Sequence, residues 1–349
     1  MIAKYIWPFI GAFTAMFAGC TSGPRDVQRF EYVQPQMGVP FRIVLYAADK
    51  RTADAAAEAA FARVNELNVV LSDYDTDSEL SRLSQTAGQG KVVAVSEDLW
   101  HVLERAQQLA AETGGAFDVT CGPVVSLWRK ARREKKLPDL AKLGEARQAV
   151  GYSKIQLNPS ARTAELLVPY MRLDLGAIAK GYAMDEAIKV LSARGIASAL
   201  VSGGGDMAAS SAPPGTKGWH IELAPLDAPN SPSAKFVLLR NQALATSGDL
   251  FQHVEIDGKR YSHIVDPRTG IGLTDHSLVV VIAHDCITAD SLSTAVSVLG
   301  PKEGLKLAEG KNACARVVRK PSTKIEVYES KCFARYITHS AEPVTARPF

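Results

Sequence analysis

Several things are scarce or missing in this chain, and each absence excludes something. Cysteine occurs five times in 349 residues. No CxxC pair and no histidine-rich cluster accompanies it, which argues against a zinc site. No apolar run reaches the roughly 20 residues that span a bilayer comfortably. No excess of one charge exists either: Lys plus Arg number 40 and Asp plus Glu 37, a formal net charge of +3. That balance gives no electrostatic reason to expect nucleic acid. The glycine run 203–205 is neither a GxGxxG fingerprint nor a Walker loop. There is no internal repeat and no low-complexity linker.

The start of the chain does carry a pattern. Lys4 precedes an apolar run over 5–18, which closes with Phe17-Ala18-Gly19-Cys20. This is a charged segment, a short hydrophobic segment and small residues before a cleavage point. A cysteine directly after Ala-Gly resembles a bacterial lipobox, with Phe17 where Leu is usual. The expectation is a lipoprotein signal peptide over 1–19, lipidation of Cys20 and a tether over 20–29. A plain secretory signal or an uncleaved anchor is the alternative. Export permits disulfides. Cys314 and Cys332 flank strand-like runs at 315–319 and 324–328, and a hairpin turning at Pro321-Ser322 would pair them. Cys121 and Cys286 sit in apolar surroundings and read as buried thiols.

Periodicity places helices at 53–71, 78–83, 97–112 behind Ser96 as N-cap, 140–150, 176–195 and 288–299. Strands are expected at 41–47, 92–95, 155–157 with 164–168, 199–201, 219–223, 235–239, 254–256, 261–265 and 278–283, and Asp257-Gly258 is a hairpin turn. The stretches 212–215 and 225–232 read as proline-rich surface loops. The one dense basic run, 129–136, reads as the solvated face of a helix or loop; a role near anionic lipid or a partner protein is the alternative. The mixture points to an α+β fold: a single two-lobed domain over 30–349, with mixed or antiparallel sheets and flanking helices.

Five constellations could carry chemistry, and each has a plainer reading. Residues 174–185, DLGAIAKGYAMD, bring Asp174, Lys180 and Asp185 into one strand-to-helix transition, where a helix N-terminus favours anions; the alternative is an ordinary corner with an exposed Lys180. Asp290 and Thr294, four apart on a helix, share a face and offer oxygen ligands of the kind magnesium prefers; alternatively Asp290 caps a helix starting near Ser291. His263, at the end of a strand before Asp266-Pro267, is able to take a proton near neutral pH, or it is a structural histidine. Gly203-Gly204-Gly205-Asp206 lets backbone approach a ligand closely. Gly114-Gly115-Ala116-Phe117-Asp118 forms either a ligand wall or a helix C-cap with a buried Phe. Met37-Gly38 and Ser72-Asp73-Tyr74 complete the set, with Tyr74 free to stack on a planar ring or merely to pack.

Taken together, DLGAIAKGYAMD, ATSGD (245–249), YSHIVDPRTG (261–270) and ADSLSTA (289–295), in this order and at these separations, resemble the FAD:protein FMN transferases, the ApbE family. The resemblance runs from about Met37 to Gly300. It implies splitting of FAD at its pyrophosphate, with FMN joined through phosphate to a Thr or Ser hydroxyl of an acceptor protein and AMP leaving. It implies that Met37, Tyr74, Ala116, Phe117, Asp118, Asp174, Lys180 and Ile264 line the FAD site. It further implies that Mg2+ is held by the Ala177 carbonyl with Asp290 and Thr294, and that His263 is the general base. The implied partner is a respiratory electron-transfer subunit carrying a Ser/Thr flavinylation motif. The implied location is the periplasmic side of the bacterial inner membrane, through the lipid anchor. Two positions depart from the family pattern: Ser202-Gly203 precedes Gly204-Gly205-Asp206 where Asn is usual, and Ser84 stands where Asn is common. A magnesium-dependent FAD pyrophosphatase, with water as acceptor, and a non-catalytic flavin-binding lipoprotein are the competing readings.

Overall fold

The computed structural model describes residues 27–226, 235–250 and 252–338. The expected signal peptide, Cys20, most of the expected tether and residues 227–232 lie outside them. Eight strands form one antiparallel sheet whose spatial order follows the chain: Gln28–Gln36, Val39–Ala47, Ala199–Gly203, Asp206–Ala209, Gln242–Gly248, Ser277–Ala283, Cys314–Arg319 and Glu326–Glu329. The first strand begins at Gln28, inside the stretch assigned to the tether. Its residues, QRFEYVQPQ, are mostly exposed on the sheet edge, where polar side chains and a proline are tolerated.

Both faces of the central strands are buried, and their side chains alternate between two cores. Val279, Val281 and Ala283 face one core; Val280 and Ile282 face the other. On the first side lie α1 (Lys50–Leu71), α2 (Glu79–Ser84) and α3 (Glu97–Glu112). On the other, a three-stranded sheet of Trp219–Glu222, Phe236–Leu239 and Ile337–Thr338 supplies Trp219, Ile221 and Val237. A third, smaller core joins Val124, Trp128 and Ala131 of α4 (Gly122–Glu134), Leu143 of α5 (Leu140–Gln148) and the hairpin His253–Ile256/Lys259–Ser262. The fold is therefore α+β with flanking helices and antiparallel sheets.

Local chemistry sets most boundaries. Ser78 and Ser96 cap α2 and α3 by accepting from the amides of Ser81 and Leu99, which satisfies otherwise unpaired N–H groups. Asp257-Gly258 turns its hairpin with positive φ at both residues, as a type I′ turn requires. Cys314 and Cys332 form a disulfide. α6 (Ala179–Ala193) and α7 (Cys286–Gly310) pack against the sheet and each other. α7 runs past the expected stop at 299 but kinks there, at Gly300 just before Pro301.

α6 and α7 approach so closely at Gly181 that a Cβ there would lie 2.3 Å from the carbonyl oxygen of Cys286. Gly181→Ala must push the two helices apart. Its unfolding free energy in urea, followed by circular dichroism, is expected to fall by about 1–3 kcal/mol; an unchanged midpoint would contradict this packing.

Candidate active site

A cavity of about 1080 Å³ opens where the α6 and α7 layer meets the third core. Its walls come from distant parts of the chain. Met37, at the tip of the first hairpin with φ of 49°, reaches it. So do the segment after α1 (Ser72 to Asp75), the loop Ala116-Phe117-Asp118, one face of α4, the approach to α6 (Asp174 to Lys180), Thr246 to Gly248, His263 with Ile264, and Asp290 with Thr294 of α7. The residues that the resemblance implies for flavin, metal and proton chemistry all line this one space, whereas Asp185, Gly203, Gly205 and Asp206 do not.

Lys180 stands at its charged end. Lys180 Nζ donates to Asp206 Oδ2 at 2.6 Å and lies 3.5 Å from Asp290 Oδ2. Asp206 arrives there because Gly204 and Gly205, both with positive φ, close a tight turn between two sheet strands. The glycine run is thus a hairpin that delivers a carboxylate. Asp290 Oδ2 accepts from the Gly181 amide at 3.0 Å. It is no helix cap: α7 starts at Cys286, capped by Asp285 through the Thr288 amide. Asp185 completes the junction by accepting from the amides of Cys286 and Ile287, so its role is structural. Burial raises the Asp185 carboxyl to about 7. Burial and the neighbouring Asp290 charge raise Asp206, while the two carboxylates hold Lys180 firmly protonated against its own burial.

A second cluster forms around Arg129 of α4. Its guanidinium pairs with Asp73 and, at 2.7 Å, with Asp174 Oδ2, and it lies 4.4 Å over the exposed Tyr74 ring. Burial, with Asp73 beside it, raises the Asp174 carboxyl. Asp118 reaches the cavity, yet its oxygens accept from the Thr120 amide and hydroxyl and from the Tyr152 amide. It holds the loop that carries Ala116 and Phe117. Asp249 of ATSGD does similar work, bonded to Arg260, His276 and the Ser277 amide.

His263 is half-buried, and its Nδ1 lies 3.1 Å from the Gln252 carbonyl oxygen. A carbonyl only accepts, so in neutral His263 the proton sits on Nδ1 and Nε2 keeps its lone pair. Burial lowers its pKa to about 4, helped by the positive charges of Arg132 and Lys180.

A family model described as the ApbE family matches residues 37–318. This chain belongs to the ApbE family. It is 32% identical to the FAD:protein FMN transferase of Haemophilus influenzae, over 81% of this chain and 84% of that one. It is also 32% identical to the FAD:protein FMN transferase of Treponema pallidum, over 85% and 87%. Among solved structures, the flavin transferase ApbE from Vibrio cholerae superposes with a TM-score of 0.80 at 29% identity, covering 89% of this chain and all of that one.

The charge and the donor atoms of this site fit a cation. Lys180 supplies one positive charge to two carboxylates, so the cluster keeps an excess of negative charge. Thr246 Oγ1, on the cavity wall, is buried without a hydrogen-bond partner among the described residues. The hydroxyls of Ser247 and Thr294 lie 3.2 Å apart. These are all hard oxygen donors and fit magnesium. Among the described residues no three His, Cys, Asp or Glu side chains form a metal cage. Magnesium suits such an incomplete set because it keeps waters and takes substrate phosphates.

Sequence reasoning missed the part played by Asp206, Asp73, Arg129 and Arg132. The first follows a glycine run that reads as loop; the arginines sit in a basic run that reads as solvated. The signal that would have found them is the spacing of Cys121, Val125, Arg129 and Arg132, which puts all four on one helix face.

With its folded pKa below that of an unfolded histidine, His263 resists protonation while the unfolded chain accepts it. It therefore leaves stability untouched above about pH 6.5 and subtracts from it as pH falls from there towards 4. An NMR titration of the His263 imidazole in the free protein is expected to give a midpoint near 4; a midpoint at 6 or above would contradict the environment described.

Proposed function

We propose that this ApbE-family chain transfers FMN from FAD to a serine or threonine hydroxyl of an acceptor protein and releases AMP. The observation that carries this reading is the gathering of Asp174, Lys180, His263, Asp290 and Thr294 in one cavity, in a chain whose relatives are named for that reaction. The cavity is roomy enough for a dinucleotide-sized ligand.

His263 Nε2 takes the proton of the incoming hydroxyl. The hydroxyl oxygen then bonds the phosphorus of the FMN half, the bond from that phosphorus to the bridging oxygen breaks, and AMP departs with that oxygen. The Gln252 carbonyl fixes the tautomer that leaves Nε2 free. Lys180 keeps Asp206 in place and, through Gly181, shares its helix with the Asp290 contact. Tyr74 and Met37 offer apolar surface to the flavin or adenine ring. The Ala177 carbonyl, Asp290 and Thr294 would hold magnesium, which when bound offsets charge on the pyrophosphate oxygens. Positioning supplies much of the rest in phosphoryl transfer.

The reading extends to location. The apolar run before Cys20 and the Cys314–Cys332 disulfide support export to an oxidising compartment. Among the described residues no helix is long and apolar enough to cross a membrane, and a lipid on Cys20 would supply the attachment to the periplasmic face of the inner membrane. The acceptor proposed is a respiratory electron-transfer subunit.

Two measurements check these proposals. An acceptor co-expressed with the wild-type chain is expected to gain the mass of one esterified FMN. His263→Ala should slow that gain by ~10²–10⁴-fold, and Asp290→Ala should remove its dependence on magnesium. Free FMN and AMP without a modified acceptor would instead mark a pyrophosphatase, and unchanged FAD a binding protein. Separately, Cys20→Ser is expected to move the protein from the membrane fraction to the soluble periplasm; unaltered membrane retention would contradict lipid attachment.

A further inference from the structure

One charged group on the cavity wall, Arg132, has no role in the chemistry proposed for His263, Lys180 and Asp290. Cys121, Val125, Arg129 and Arg132 form a single stripe of α4 that faces the cavity. Lys180 is committed to Asp206 and Asp290, and Arg129 to Asp73 and Asp174. Arg132 is half-buried and, among the described residues, has no carboxylate within ion-pair distance. Its neighbours make matters worse: burial first, then the charges of Arg129 and Arg133, lower its pKa. Arg132 and His263 line the same cavity, and of the charged groups acting on His263, Arg132 is the strongest. An uncompensated guanidinium held against a cavity wall is costly unless an anion meets it.

We infer that Arg132 is a substrate-binding residue whose guanidinium takes pyrophosphate oxygens of FAD on the side of the cavity where His263 stands. The inference rests on the transferase reading and deepens it. A planar guanidinium matches phosphate oxygens with two parallel N–H donors, which a lysine cannot reproduce. The anion also cancels part of the positive field on His263. Substrate arrival therefore raises the basicity of Nε2 from its low value in the free protein, so the base strengthens only when there is a phosphate to attack.

The test compares FAD and riboflavin, which share the flavin ring but not the phosphates. Dissociation constants are measured by fluorescence for wild type, Arg132→Ala, Arg132→Lys and Arg133→Ala, the last altering an exposed arginine one position along. Arg132→Ala is expected to weaken FAD by ~10–100-fold and leave riboflavin within about twofold by the same charge argument. Arg132→Lys should recover part of the loss, and Arg133→Ala should change nothing. In Arg132→Ala the acidic limb of kcat/KM should also move to higher pH, because a positive charge that lowers the His263 pKa has gone. Equal FAD affinity in wild type and Arg132→Ala would overturn the assignment. So would an equal loss for both ligands, which would mark general damage to the cavity, or a change confined to the acceptor's KM. Failure of the wild type to bind FAD would overturn the transferase reading itself and is distinguishable from all of these.

Discussion

The site depends on one ammonium group held between two buried carboxylates. Lys180 comes from the first turn of α6, Asp206 from a sheet hairpin and Asp290 from α7. Three elements far apart in sequence are thereby tied at a single point. Burying three charges is expensive, and one lysine does not neutralise two aspartates. Such a cluster is poor material for stability alone: an apolar trio would pack as well at lower cost. Its form makes sense if a cation and a phosphate complete it, and the buried Thr246 hydroxyl, without a hydrogen-bond partner among the described residues, points the same way.

The surrounding fold keeps that point in register. Gly181 lets α6 and α7 touch, and Asp185 caps α7 from α6, so the helices that carry Lys180 and Asp290 cannot slide independently. Behind them, sheet strands buried on both faces provide a rigid floor. The opposite wall is built differently. α4 is braced by its own small core through Trp128, whose indole N–H donates to the Gly270 carbonyl. That core carries the hairpin ending at Ser262, next to His263. His263 and the arginines of α4 thus belong to one unit, and the lysine cluster to the other, with the cavity between them.

Much of this was legible in the sequence. The Ser78 and Ser96 caps, the Asp257-Gly258 turn and the Cys314–Cys332 pair follow from short-range chemistry that survives any tertiary context. Motif order carried the family and the list of cavity residues. What sequence could not supply was direction and environment. The basic run at 129–136 has the composition of a solvated face, and only the packing of Trp128 shows that Arg129 and Arg132 turn inward. Asp118 reads as a ligand contact, but its oxygens are occupied by the loop they hold. The polar first strand, Gln28–Gln36, was not expected as a strand, because an edge strand needs little hydrophobic pattern. His263 was identifiable as a candidate base, whereas its tautomer comes from Gln252 and its low pKa from burial and from the charges of Arg132 and Lys180, which lie far back in the chain.

The claim that a cation and a phosphate complete the lysine–carboxylate cluster has a direct test in binding linkage. Calorimetric titration of FAD into the protein, with and without Mg2+, and of Mg2+ with and without FAD, measures it. Each is expected to tighten the other by the same factor, as thermodynamic reciprocity requires, and Asp290→Ala is expected to abolish the coupling. FAD binding that is equally tight with and without magnesium would contradict it.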